Sequence, residues 1–257
     1  MGNPFDSVIE NIERRGYHNH RKENHSDIIC KELFTDLLAK CESIQRDHAS
    51  GIIQHWLNVR AHGGRERKID LLVGEPLPNG NPDLKKMRIC IENKSVIAAH
   101  RNAPSRYDDL NESLQVLYRS QPEAVLIATV LIGTCPRVLN VPDRIKPFFD
   151  EDDFIKNIQP RLSSGDEKLW VDFKRAISKN HKDDPKKTLD TFKKLNVRPF
   201  SRTDMMAYDY LLLVPVAIDN VNPPRLERKN TLGIDIDTEY EKMVKHICKC
   251  YSARWHP

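Results

Sequence analysis

Several absences narrow this 257-residue sequence before any motif is read. No apolar run approaches the roughly 18 residues a bilayer span needs, and the N-terminal stretch holds no apolar signal core. A membrane partner is therefore not expected, and the sequence reads as soluble and cytoplasmic. Met1-Gly2 does not open a myristoylation signal, because Asp6 stands where that motif wants Ser or Thr. There is no Gly-x-x-x-x-Gly-Lys loop to cradle phosphates, which argues against a nucleotide cofactor. The six cysteines lack paired metal-finger spacing, and Cys248-Lys-Cys250 stands alone. No Cys/His pairing suggests a nucleophile, so reduced, partly buried thiols are expected. Repeats and low-complexity tracts are missing too. Neither sign of charge dominates: 41 Lys and Arg face 37 Asp and Glu, for a net charge of +4. That balance suits a phosphate-bearing partner without requiring one.

What is present is enough apolar residue for a real core, 39% of the chain. Helical spacing marks 5–15 and 26–41, separated by a polar, His-rich loop, with Ser26 as a cap for the second helix. Strand patterns cover 52–60, 68–73 and 87–92. Gly63-Gly64 is a turn between the first two, and a Pro/Gly/Asn-rich loop over 74–83 lies between the second and third. Pro104-Ser105 opens a helix that ends near Ser120. The run 124–133 is apolar on both faces, which is the mark of a strand covered by helices above and below. Lysine then rises, and helical patterns recur over 152–158, 166–178 and 186–195. Residues 208–218 return to strand character, with Pro215 favouring an edge, and 237–251 is an amphipathic helix. The expected architecture is an α/β core, a mixed sheet flanked by helices, formed by 1–139 with 206–257. Residues 140–205 are expected to be a helical insertion.

Two strands carry residues that a core strand should not have. Asp70 interrupts an apolar run, and the strand over 87–92 leads into Glu92-Asn93-Lys94. Alternation puts Glu92 and Lys94 on one face and Asn93 on the other, while the intervening loop lets Asp70 approach Glu92. Two neighbouring carboxylates repel, and a divalent cation and an ammonium group relieve that repulsion. Mg²⁺ takes hard oxygen ligands from one or two carboxylates and keeps positions for water and phosphate. The lysine can orient the attacking water and offset charge building on the phosphate. The tripeptide alone carries nothing, since (Asp/Glu)-x-Lys occurs seven times. Only the copy at 92 ends an alternating strand, follows a strand aspartate and precedes a helix and an apolar strand. The bland alternative is a surface ion pair at a strand end, with Asp70 at a sheet edge.

In this order of elements, helix, Asp strand, Glu-x-Lys strand, helix, apolar strand, residues 26–133 resemble the PD-(D/E)xK nuclease superfamily, best known for type II restriction endonucleases. Ile69 stands where the motif name has proline, which many members dispense with. The resemblance implies a restriction-endonuclease-like fold and a Mg²⁺-dependent DNA endonuclease leaving 5′-phosphate ends, with Mn²⁺ able to substitute. It makes Asp70 and Glu92 the metal ligands and Lys94 the catalytic lysine. Members often add an acidic residue from the helix before the sheet, for which Glu32 is the best placed. It further implies double-stranded DNA as partner, a homodimer, and a restriction role in anti-phage defence. A repair or resolvase nuclease, a non-catalytic nucleic-acid-binding module and a helical interaction protein are the alternatives.

Arg67 and Lys68 lead into the Asp70 strand and are candidate contacts to a DNA backbone. Arg101, Asn102 and Arg106 begin the helix after the motif, where backbone amides and arginines suit phosphate. The insertion over 140–205 is the candidate recognition element, although its lysines alternate with aspartates as on an ordinary solvated face. His18-Asn19-His20 spells a nuclease name but belongs to a solvated loop, because HNH nucleases spread those residues over a ββα unit.

Overall fold

A computed structural model describes residues 3–14, 25–61, 67–140, 151–174, 177–228 and 230–257. The Gly63-Gly64 turn and the His18–His20 loop lie outside them.

Six strands form one mixed sheet, in the order β1-β2-β3-β4-β7-β8. β1 (Gln54–Ala61), β2 (Arg67–Pro76) and β3 (Pro82–Val96) make an antiparallel meander. β4 (Val125–Gly133) runs parallel to β3, and β7 (Tyr210–Ala217) runs parallel to β4. The short β8 (Arg225–Leu226) turns back antiparallel on β7. β4 is buried at every position, as its two-faced apolar sequence requires. Pro215 pairs with β4 in a strand that β8 covers only at its last two residues, and its carbonyl accepts the Glu227 N–H just past β8, so the proline stands where the β8 ladder gives out.

Helices cover both faces. On one side lie α1 (Pro4–Arg14), α2 (His25–Lys40), α3 (Glu42–Ala49) and α9 (Ile236–Trp255). Their apolar residues join Leu71, Val73, Ile89, Ile91, Ile127 and Val214 in the larger core. On the other side, α4 (Ala103–Ser120) packs over Leu72, Cys90, Leu126, Ala128 and Val130. Each fully buried aliphatic side chain contributes about 1.5–3 kcal/mol, so this layering, more than local propensity, fixes the fold.

The 74–83 loop is much shorter than its composition suggests. β2 continues to Pro76 and β3 starts at Pro82, with Gly80 at φ 81° in the turn between them. α3 was not foreseen. The insertion also divides. β5 (Arg137–Leu139) pairs with β6 (Ile177–Lys179), which begins where the helical pattern over 166–178 was expected to end. Between them lie α5 (Glu151–Asp153), a π-helical turn (Phe154–Ile158), α6 (Gln159–Ser163) and α7 (Glu167–Asp172). This part has its own small core of Leu139, Phe154, Leu162, Trp170 and Val221. The last helix, α8 (Asp184–Phe192), instead joins α4 over the main sheet, burying Leu189 and Phe192 there. No described helix is long and apolar enough to cross a membrane.

Candidate active site

β3 and β4 point their carboxyl ends the same way, and a cavity of about 480 Å³ opens beyond them. Crevices at the carboxyl ends of parallel strands are where open α/β sheets commonly bind ligands. Its walls include His25 and Ser26 of α2, Asn93 and Lys94 of β3, and Asn102 and Arg106 at the start of α4.

The pairs Leu71↔Ile91, Leu72↔Cys90 and Val73↔Ile89 set the register of β2 on β3, and continuing it puts Asp70 beside Glu92. Alternation then breaks at Asp70. Ile69 packs with the α4-side cluster and Leu71 with the α2-side cluster, although strict alternation would put both on one face. Asn58, which lies between the pairs Leu57↔Leu71 and Val59↔Ile69, sits at φ 59° and donates from Nδ2 to Asp27 Oδ1 at 2.8 Å. Asn is one of the few residues that adopts this left-handed conformation readily. The local twist turns the Asp70 carboxylate onto the main-chain N–H of Asn93, 2.6 Å away, and toward the Ser26 hydroxyl.

Glu92 is 1% exposed and faces the α4 layer, where its charge helps raise the pKa of buried Tyr208. The Lys94 ammonium donates to Glu92 Oε2 at 2.9 Å. Burial on its own would depress the lysine, but the charges of Glu92 and Asp70 outweigh it and hold Lys94 above the usual lysine range. Burial raises the Asp70 carboxyl above the usual aspartate range, and Lys94, Asn93 and Ser26 only partly oppose it. A surface ion pair at a sheet edge is therefore not what forms. β2 lies inside the sheet between β1 and β3, and the Glu92 carboxylate is buried.

On the α2 face, Asn93 Nδ2 donates to Ser26 Oγ at 2.8 Å and to Cys30 Sγ at 3.2 Å, and the Thr129 hydroxyl donates to Asn93 Oδ1. The helix already begins at His25, so Ser26 lies inside it rather than before it as a cap, and its hydroxyl serves the tip of β3. This polar cluster fixes the tip of β3. The middle residue of Glu92-Asn93-Lys94 is a polar side chain aimed at a helix, which alternation had indicated. Ser26 and Thr129 had no such signal in the sequence.

Glu32 is not brought to the cavity. The α2 residues that line it lie at the start of the helix, whereas Glu32 lies further along and acts electrostatically on Tyr240 of α9, beside Asp36. Among the expected phosphate contacts, Lys68 is exposed and its charge is felt by Asp70. The backbone of Arg67 pairs with Ala61 at the start of β2; its side chain lies outside the described atoms. Arg101 and Asn102 are exposed on a 3-10 turn (His100–Asn102), and Arg106 pairs with Asp109 at 3.0 Å.

Away from this cavity, Asp209, His246 and Cys250 come together as a set of metal-ligating residue types. Asp209 is already held by two guanidinium groups, with Arg198 Nη2 at 2.9 Å and Arg254 Nη2 at 2.5 Å, and it also accepts from the Leu126 N–H at 2.8 Å. A cation there would meet two positive charges, so this is a structural lock between β4, β7 and α9.

Comparison with known proteins finds no matching family, no similar curated protein and no similar solved structure.

Proposed function

We propose that this chain is a Mg²⁺-dependent DNA endonuclease of the restriction-endonuclease-like fold, acting as a type II restriction enzyme in anti-phage defence. Double-stranded DNA, a homodimer and 5′-phosphate ends belong to the same proposal. The observation that carries it is Lys94 on the wall of a polar cavity beyond parallel strand ends, hydrogen-bonded to the buried Glu92 carboxylate and under the charge of Asp70. The donor set fits a hard divalent cation. Two carboxylates and one ammonium leave a net charge of −1 in a poorly solvated place, and a dication together with a phosphodiester brings the sum to zero. Bound there, Mg²⁺ would polarise the phosphate and lower the pKa of an attacking water.

Asp70 and Glu92 would hold the ion. Asn93 and Ser26 keep Asp70 in place, and Thr129 keeps Asn93 in place. Lys94 hydrogen-bonds Glu92 and lies on the cavity wall, where it can orient water and offset charge on the phosphate. Asn102 and Arg106 lie across the cavity, where a neighbouring phosphate would be held.

The closed Lys94–Glu92 pair favours a second reading, a non-catalytic nucleic-acid-binding module of the same fold. Supercoiled plasmid incubated with the protein and Mg²⁺ or EDTA separates the two. The nuclease reading expects nicked and linear DNA with Mg²⁺ only, and none from Asp70→Asn or Lys94→Met. Binding without cutting by the wild type, on modified and unmodified DNA alike, would establish the module instead.

A further inference from the structure

A second cavity, of about 490 Å³, lies beside the first and shares Ala98 and Ala99 with it. The ridge between them is the 3-10 turn His100–Asn102. Arg101 lines the second cavity, and Asn102 lines the first. His100 anchors this ridge: it is buried, its Nδ1 meets Thr188 Oγ1 of α8 at 2.7 Å, and the backbone of Gly133 engages the ring as well. The far wall comes from the insertion, through Asn140 and the end of β6 with Lys179, Asn180 and His181. Asn180 holds that wall in place, donating from its N–H to Pro136 O at 2.8 Å and from Nδ2 to Cys135 O at 2.9 Å.

The charges along this double cavity are mostly of one sign. Arg106 and Lys94 lie in the first cavity, and Arg101 and Lys179 in the second, with His181 beside them. The one carboxylate lining the second, Asp184, accepts the main-chain N–H of His181 at 2.7 Å. Both linings are predominantly polar, which suits a chain of phosphates and sugars better than an apolar ligand.

We infer that the paired strands β5 and β6 and the His100–Asn102 ridge form a backbone-binding groove, in which Arg101 and Lys179 contact phosphates of duplex DNA flanking the bond held at Lys94. This rests on the nucleic-acid part of the reading above. It assigns the insertion a grip on the DNA backbone, sequence-independent and continuous with the candidate active site.

The test is equilibrium binding of a fluorescent duplex, with EDTA present to prevent cutting, measured by anisotropy over a range of salt concentrations. Each phosphate contact contributes about 0.9 to the slope of log affinity against log salt. Arg101→Ala and Lys179→Ala should each weaken binding several-fold and lower that slope by about 1, and the double variant should lower it by about 2. Lys186→Ala, exposed on α8 and paired with Asp190, does not line either cavity and should bind as the wild type does. Unchanged slopes in both groove variants overturn the inference, as does a wild-type chain that fails to bind DNA. Mg²⁺-dependent cutting by the same wild-type preparation is read separately. Cutting with unchanged slopes removes the groove alone, while lowered slopes without cutting remove the nuclease reading alone.

Discussion

Lys94→Met removes the ammonium while keeping much of the side chain's length and apolar stem. In the wild type Nζ lies 2.9 Å from Glu92 Oε2, and Glu92 is 1% exposed. At an effective dielectric of about 20, two unit charges at that separation attract by about 6 kcal/mol before desolvation is counted. Removing one member of a buried pair leaves the other charge uncompensated, at a typical cost of 3–5 kcal/mol. Asp70 worsens this, because Lys94 is the principal charge opposing the effect of burial on it. For a chain of this size each kcal/mol moves the melting temperature by about 2–4 °C, so a fall of roughly 6–20 °C is expected. Thermal and urea melts of wild type, Lys94→Met, Glu92→Gln and the double variant, without divalent ions, give the coupling as a double-mutant cycle. The double variant should recover the part of the loss that belongs to the Lys94–Glu92 pair, since neither of those charges then remains buried alone, while the part carried by Asp70 persists. A Lys94→Met protein within about 0.5 kcal/mol of wild type would refute the reasoning, because that is how a solvent-screened surface pair behaves.

Asp209→Asn strips the carboxylate from Arg198 and Arg254, both almost fully buried, and should cost about 3–5 kcal/mol in a urea melt. Burial pushes Asp209 upward, but Arg254 and Arg198 outweigh it and hold the carboxyl below the usual aspartate range. Its contribution is therefore present above the unfolded-state pKa of about 3.9 and lost as pH falls through the lower folded value. A melt series from pH 7 to pH 2 should show the wild type losing stability below about pH 4, and Asp209→Asn losing less over the same window. Gly133→Ala would place a Cβ 2.4 Å from the Ile97 carbonyl oxygen and 2.8 Å from its Cα. Overpacking there should cost about 1–3 kcal/mol and displace the segment that carries the cavity wall, so cleavage should fall together with melting temperature. Glu32→Ala should leave plasmid cleavage within about threefold of wild type, because Glu32 acts on Tyr240 and not on the cavity; a loss of about a hundredfold, typical of a catalytic group, would reverse that placement.

The sheet was legible wherever burial imposed a period. β4, α4 and α9 fall within a few residues of their sequence patterns, because each has to present apolar side chains to a two-faced or one-faced core. α3 was not legible. Its sequence is almost wholly polar and buries only Ser43, Ile44 and Asp47, the last as acceptor for Arg88 and Tyr251. Its place is set by that buried network and not by a stripe. β5 and β6 are three residues each, too short for any alternation to register. α8 looked like part of a helical insertion because lysines crowd its exposed side. Only Thr188, Leu189 and Phe192 attach it to the core, and one His100 contact ties it to the site. In the site itself, Asp70, Glu92 and Lys94 stood out because charge inside an apolar strand violates the local rule. Their support from Ser26, Thr129 and the left-handed Asn58 depends on tertiary pairing, and no local pattern carries it.

The central claim is that Asp70 and Glu92 hold a divalent cation beside Lys94. Mn²⁺ titration followed by the electron paramagnetic resonance signal of the free ion tests it without requiring a DNA substrate. The account expects one Mn²⁺ site in the wild type, lost in Asp70→Asn and in Glu92→Gln and displaced by excess Mg²⁺. Asp209→Asn should retain it. A site that survives both Asp70→Asn and Glu92→Gln, or that disappears with Asp209→Asn while the protein remains folded, would contradict the account.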